Sequence, residues 1–270
     1  MAGPRDWEAR EPRRSGMIRR VLPVLLAFAV VLGGLAYLGG DLREILGTAP
    51  GSPISAAAKH RLYEETGPVD GRCATLPKDL DADVTASLRA LTGCLERMWA
   101  ATLARAGIDY EPPGEVRLVA APEEAACGID DYDWAGIYCP EPRVVNVLVD
   151  GERAFPMMFT LAHEYAHHVQ EVSGIADQRG SEAFDEAWSR RLELQADCLA
   201  AVTLRSVAPR RLESLRRLAG RGSGAEEGVE AGYRQSHGSG ASSAEWMRRG
   251  QEGGTVGSCN TWRAPAERVS

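Results

Sequence analysis

The residues best placed to do chemistry in this chain are His163, Glu164 and His167, in the run His163-Glu164-Tyr165-Ala166-His167. On a helix, positions i and i+4 share a face, so both imidazoles can reach one cation while the carboxylate stands beside them. A hydrolytic zinc site needs three protein ligands and an open position. Glu193 and Asp197, a second i, i+4 pair that begins 26 residues after His167, can complete the set. One carboxylate can bind the metal while the other accepts the outward ring N–H of a ligand histidine and fixes its tautomer. The competing reading is a solvated acidic face paired with Arg190 and Arg191. It fits poorly with Leu192, Leu194, Ala196 and Leu199, which mark this segment as packed. The chemistry in view is metal-assisted amide hydrolysis, with a zinc-activated water and Glu164 as the general base.

These side chains need helices to carry them. Pro156 suits the first turn of a helix running through His163 to about Ser173, where Gly174 can stop it. A second helix is expected from Ser181 to near Ser206, ending before Pro209. Upstream, Asp81–Ala106 reads as a long helix with Asp81 as N-cap, its stripe of Val84, Leu88, Leu91, Leu95, Met98 and Leu103 facing a core. Three short β-branched runs, Val116–Ala120, Gly136–Cys139 and Val144–Val149, read as strands of a small sheet. Shorter helices are expected at Pro209–Ala219, Glu226–Ser236 and Ser242–Gln251, with a loop over Gly220–Gly228. A small sheet followed by helices is an α+β order.

The chain has 270 residues, 31 Lys and Arg against 38 Asp and Glu, and a net charge of −7. That acidity argues against a nucleic-acid binder, which needs a basic footprint. The charge is unevenly placed: residues 1–20 hold six arginines and three acids, for +3, and the remainder carries −10. Between lies Val21–Gly40, 20 uncharged residues preceded by Arg19 and Arg20. A helix of that length crosses about 30 Å of hydrocarbon, and basic residues before it stay on the cytoplasmic side. The expected plan is a cytoplasmic stub (1–20), a retained single-pass anchor in the bilayer (21–40), a Gly/Pro/Ser-rich linker (41–55) and an extracytoplasmic domain (56–270). The cleaved-signal alternative is weakened by the length of the apolar run.

All six cysteines lie beyond that run, which fits disulfide formation in an oxidising compartment. Proximity in sequence pairs Cys73 with Cys94 and Cys127 with Cys139, leaving Cys198 with Cys259. The clustered spacing of a structural zinc site is absent.

Several further segments complete a resemblance. Besides the H-E-x-x-H run, extended to His168-Val169-Gln170, they are Ala126-Cys127-Gly128, Gly136-Ile137-Tyr138-Cys139-Pro140, Glu193-Leu194-Gln195-Ala196-Asp197-Cys198, His237-Gly238-Ser239, Trp246, Arg249-Gly250 and Cys259-Asn260-Thr261-Trp262. Together they resemble the bacterial family of neutral zinc metallopeptidases, whose active-site layout is similar to that of the gluzincins. The resemblance covers roughly Cys127–Trp262. It implies a zincin-like α+β domain, His163, His167 and Glu193 as zinc ligands, and Glu164 as the catalytic residue. By analogy with the gluzincins, Asp197 orients a ligand histidine. His237, outside the ligand set but in a shared segment, is the candidate donor to the tetrahedral oxyanion, with Tyr165 as the alternative. The chain departs from the family pattern at Ala166, where Gly is usual, at Ser243, near where an Arg is usual, and at Trp262, where Phe is usual. The function these readings imply is a membrane-anchored extracytoplasmic zinc peptidase acting on a peptide or protein substrate. Its rivals are a catalytically silent zinc-binding scaffold at the cell surface and a zinc hydrolase of non-peptide amides.

Overall fold

Three strands form one sheet in the order β1-β3-β2, with β1 Glu115–Val119, β2 Gly136–Cys139 and β3 Val144–Leu148. β3 runs parallel to β1, pairing Glu115 with Val144 through Val119 with Leu148, and antiparallel to β2, pairing Gly136 with Val147. As the central strand, β3 buries Val144, Val145, Asn146 and Val147. Its buried Asn146 is tied in by accepting from Ala126 N–H at 3.1 Å and donating to Ile137 C=O at 3.1 Å. This computed structural model describes residues 52–64, 66–70, 72–127, 134–149, 151, 153–179, 186–220 and 236–270. The architecture is α+β, mostly helical, as the order of elements implied.

The helices are α1 Pro53–Ala58, α2 Val84–Arg105, α3 Ala154–Val172, α4 Glu186–Leu204, α5 Pro209–Ala219 and α6 Gly240–Gly253. α3, which carries the H-E-x-x-H run, packs against β2 and β3 on one side and against α2 and α4 on others. α6 lies along α4 so closely that a Cβ on Gly250 would overlap the backbone carbonyl of Cys198. The core joins Leu88, Leu95 and Trp99 of α2, Met158, Leu161 and Val169 of α3, and Leu194, Leu199 and Val202 of α4.

Several expectations are corrected in detail. Asp81 does not cap α2; Asp83 does, its carboxylate accepting from Ala86 N–H at 2.8 Å. Asp81 instead caps α3 from a distance, accepting from Ala154 N–H at 2.9 Å where Arg153 offers no side-chain cap. A helix needs an acceptor for its first N–H groups, and any element that packs there can supply it. The expected linker is folded at its end: Ser52 caps α1, with Pro53 in the first turn. α6 begins two residues earlier than expected, with Ser239 as N-cap. Gly174, at φ +75°, follows the end of α3 as expected. The stub and the Val21–Gly40 span lie outside the described residues, as do most of the Glu226–Ser236 helix and the Gly220–Gly228 loop. Among the described residues no helix is long and apolar enough to cross a membrane.

All six cysteines pair as the order in sequence suggested: Cys73–Cys94, Cys127–Cys139 and Cys198–Cys259. The segment before β1 is woven into the C-terminal part. Asn260 Nδ2–H donates to Ala58 C=O at 2.9 Å, and Val69 N–H donates to Gly254 C=O at 2.9 Å.

Candidate metal centre

Helix α3 presents His163 and His167 on one face, one turn apart, toward α4, which returns Glu193 and Asp197 from its own matching turn. Three atoms converge: His163 Nε2 to His167 Nε2 is 3.1 Å, His163 Nε2 to Glu193 Oε2 is 3.1 Å, and His167 Nε2 to Glu193 Oε2 is 3.2 Å. His163, His167 and Glu193 form the metal-compatible cluster found among the described residues. The other nitrogens of both rings are engaged behind the cluster. His163 Nδ1–H donates to Asp197 Oδ1 at 3.0 Å, and His167 Nδ1–H donates to Gln170 Oε1 at 2.8 Å.

Those engagements test whether a cation fits. With the Nδ1 protons committed outward, each Nε2 points a lone pair inward, toward the other and toward a carboxylate oxygen. Three lone pairs at about 3 Å repel unless a positive charge lies among them. Two histidine nitrogens and a carboxylate oxygen are a catalytic zinc donor set, and a tetrahedron with bonds of about 2.0–2.1 Å has ligand separations of about 3.3 Å. Without a metal, the same demand for positive charge falls on the rings themselves. Burial alone would push His163 down, but bonds to Asp197 and Glu193 override it and hold the ring well above its ordinary value. His167 behaves alike: burial lowers it, and the Glu193 charge raises it further. Burial would raise Glu193, yet the charge of His167 and bonds from both rings hold it well below the usual carboxylate range. The pocket is built for positive charge at its centre, and zinc fits the donor set.

Glu164 stands outside this triangle, buried beneath β2. Gly136 leaves room for it: a Cβ there would lie 2.9 Å from Glu164 Cγ. Burial raises the Glu164 pKa, and Glu193 adds to the rise; His163, His167 and a hydrogen bond from Tyr138 N–H oppose it. A carboxylate with raised proton affinity beside a metal-binding cluster has the properties of a general base.

His237 joins the site from the segment before α6. Its Nε2 is 3.5 Å from Glu193 Oε2, and its Nδ1 is 2.7 Å from Ser236 Oγ. Burial lowers its pKa, so the ring is held toward its neutral form. If Ser236 O–H donates to Nδ1, the ring proton sits on Nε2, facing the cluster. Tyr165, the alternative donor, is fully buried and its hydroxyl meets that of Tyr110, so it is corrected out of the site. His168 also turns away: Tyr138 O–H meets its Nδ1 at 3.1 Å, and its Nε2–H donates to Glu111 C=O at 2.8 Å.

The solvated-face reading of Glu193 and Asp197 fails because the arginines are committed elsewhere. Arg191 is buried and donates to the carbonyls of Thr261 and Ala264, the latter at 3.0 Å; Arg190 donates to Val269 C=O at 3.1 Å.

Four residues near the cluster had no role in the sequence reading. Ser243, noted there only as a departure, donates to Asp197 Oδ2 at 2.6 Å. Gln170 and Gln195 lie within the runs around the histidine and carboxylate pairs only as spacers, and Tyr63 lies far upstream. A buried glutamine three residues after a ligand histidine, on the same helix face, is the signal that could have pointed to Gln170.

Comparison with known proteins accords with this geometry. A family model described as "Putative neutral zinc metallopeptidase" matches residues 13–217, reaching well upstream of Cys127. The chain is 25% identical over 268 residues to the uncharacterized protein YpfJ of Escherichia coli strain K12, covering 88% of this chain and 86% of that one. It is 33% identical over 99 residues to the uncharacterized protein Rv2575 of Mycobacterium tuberculosis strain H37Rv, covering 32% and 34%. No solved structure matches the chain.

Proposed function

From the chain's membership of the neutral zinc metallopeptidase family, we propose that it is a zinc-dependent peptidase with a zincin-like site and Glu164 as general base. The observation that carries this reading is the convergence of His163 Nε2, His167 Nε2 and Glu193 Oε2 within 3.1–3.2 Å, with buried Glu164 alongside. Zinc held by those three atoms would supply Lewis acidity toward water and a scissile carbonyl.

The chain's own residues do the rest. Glu164 takes a proton from the attacking water and delivers it to the leaving amine, and its raised proton affinity suits both transfers. Tyr138 N–H steadies its carboxylate from β2. His237 offers an Nε2–H donor to the oxygen that gains charge as the carbonyl is attacked. Asp197 and Gln170 keep the two ligand rings facing inward.

We place this domain outside the cytoplasm, held at a bacterial membrane through residues 21–40. The support is the uncharged run behind Arg19 and Arg20, together with three disulfides in the domain that follows. Alkaline phosphatase fused after Ser270 reports that orientation: activity places the domain outside, and an inactive fusion refutes it.

The activity is tested by metal analysis and peptide-library cleavage with the full chain and Glu164→Gln. Stoichiometric zinc and cleavage lost in the variant support the peptidase. Zinc without Glu164-dependent cleavage makes the chain a silent metal-binding scaffold.

A further inference from the structure

His167 is oriented differently from His163. Behind His163 is a carboxylate; behind His167 is a neutral carboxamide that leads deep into the core. Gln170 Oε1 lies 2.8 Å from His167 Nδ1, while Gln170 Nε2 donates to Leu192 C=O at 2.9 Å and to Gln195 Oε1 at 3.0 Å. Gln195 Nε2 in turn donates to Cys259 C=O at 3.1 Å and to the Tyr63 hydroxyl oxygen at 2.5 Å. Gln170 and Gln195 are both fully or almost fully buried.

The two backbone carbonyls in this chain of bonds set its direction, and the Tyr63 hydroxyl accepts accordingly. A backbone carbonyl only accepts, so Leu192 C=O and Cys259 C=O each require an amide N–H. Cys259 C=O therefore turns the NH₂ of Gln195 toward itself, which leaves Gln195 Oε1 facing Gln170. That oxygen and Leu192 C=O claim both N–H groups of Gln170. Gln170 Oε1 is then the atom left for His167, and an oxygen there can meet only an N–H. The ring therefore keeps a proton on Nδ1, and Nε2 is the nitrogen turned toward Glu193 and His163.

We infer that Tyr63, Gln195 and Gln170 form an interior relay of positioning residues that sets which nitrogen of His167 faces the metal cluster. The relay reaches from a ligand of the centre to the backbone beside the Cys198–Cys259 disulfide and to Tyr63, 104 residues before His167. It makes the segment upstream of β1 part of the site's support. The inference rests on the cluster being a metal site, but it concerns ring orientation and is readable whether or not the chain cleaves peptides.

The test uses the full chain. Zinc affinity is measured by chelator competition for the wild type and Gln170→Leu, together with the visible spectrum of each cobalt(II)-loaded protein and the melting temperature in chelator. The leucine cannot accept from His167, so zinc binding should weaken by about 10–100-fold and the cobalt spectrum should change. Unchanged affinity and spectrum in a folded variant overturn the relay. If the variant does not fold, nitrogen-15 NMR of the wild type decides, with chelator present. A slowly exchanging proton on His167 Nδ1 supports the relay; an Nδ1 that is bare, or exchanges as fast as an exposed imidazole, overturns it. A wild type that binds no zinc refutes the metal reading separately, because the Nδ1 measurement needs no metal.

Discussion

Ser243 Oγ–H donates to one oxygen of Asp197 at 2.6 Å while the other oxygen accepts His163 Nδ1–H at 3.0 Å. The serine therefore steadies the carboxylate that steadies His163 of the candidate metal cluster. It reaches across from α6, which is tied down at its start: Ser239 and Ser242 hydroxyls donate to Ser270 C=O at 2.9 and 2.7 Å. Losing Asp197 leaves His163 Nδ1–H without an acceptor, whereas losing the serine hydroxyl leaves Asp197 in place but freer to rotate. Asp197→Ala should weaken zinc binding by about 10–100-fold, and Ser243→Ala should weaken it measurably but less. Chelator competition checks the order; a serine variant that loses as much as the aspartate variant contradicts it.

Under the proposed function, Gly136 offers a way to disturb the base without disturbing the metal cluster. A methyl group there would meet Thr160, Glu164 Cγ and Asn146 C=O first, and none of these is one of the three cluster atoms. Overpacking of this kind costs about 1–3 kcal/mol, and relief requires either β2 or Glu164 to shift. Gly136→Ala should keep zinc at wild-type stoichiometry and lower kcat far more than it raises KM. Steady-state kinetics beside metal analysis checks this, and loss of zinc would mean that the strand supports the ligands directly.

The parts of the site that could be read from sequence are those where helical spacing alone sets geometry. His163 and His167, and Glu193 and Asp197, each need only one turn of helix to come together, and the packed leucines around the second pair show that it faces inward. The small sheet was readable for a similar reason, since short β-branched runs separated by Pro, Gly and Asp have few other uses. What spacing cannot supply is the partner across a tertiary contact. Gln195 meets Tyr63 132 positions away, and Ser243 meets Asp197 46 positions away. Asp81 and Asp83 are equally good caps by residue type, and only the arrival of Ala154 beside Asp81 distinguishes them.

Glu164 carries a pH signature. Its folded pKa is raised, chiefly by burial, so the fold favours the protonated form. The stability it contributes is fully present below the ordinary glutamate value of about 4.3 and is lost as pH rises through the folded value. Above that, an ionised and buried Glu164 costs stability. Glu164→Gln, in chelator, should therefore melt higher than the wild type at neutral pH and no higher at pH 4. The same variant should lose about 10²–10⁴-fold in activity, and the acid limb of wild-type activity should lie above the usual carboxylate range. Melting curves across pH settle the sign; a variant less stable at neutral pH would mean that the carboxylate is favourably paired instead.

The three disulfides should differ in what their loss does. Cys198–Cys259 closes the longest loop, with a separation of 61 residues against 21 for Cys73–Cys94 and 12 for Cys127–Cys139. The chain-entropy relation assigns about 4 kcal/mol to the first and about 3 kcal/mol to each of the others. At about 2–4 °C per kcal/mol for a domain of this size, replacing both Cys198 and Cys259 by alanine should lower Tm by about 8–16 °C. Both are fully buried, so cavities add to the loss. The distinguishing outcome is in the metal. Cys198 follows Asp197 directly, and Cys259 C=O anchors Gln195, so the double variant should also bind zinc more weakly at a temperature where it remains folded. Replacing Cys73 and Cys94, which tie α2 to the segment before it and carry no bond to Gln195, should lower Tm and leave zinc affinity unchanged. Equal zinc affinity in the two double variants would show that the Cys198–Cys259 bridge holds the fold without holding the metal centre.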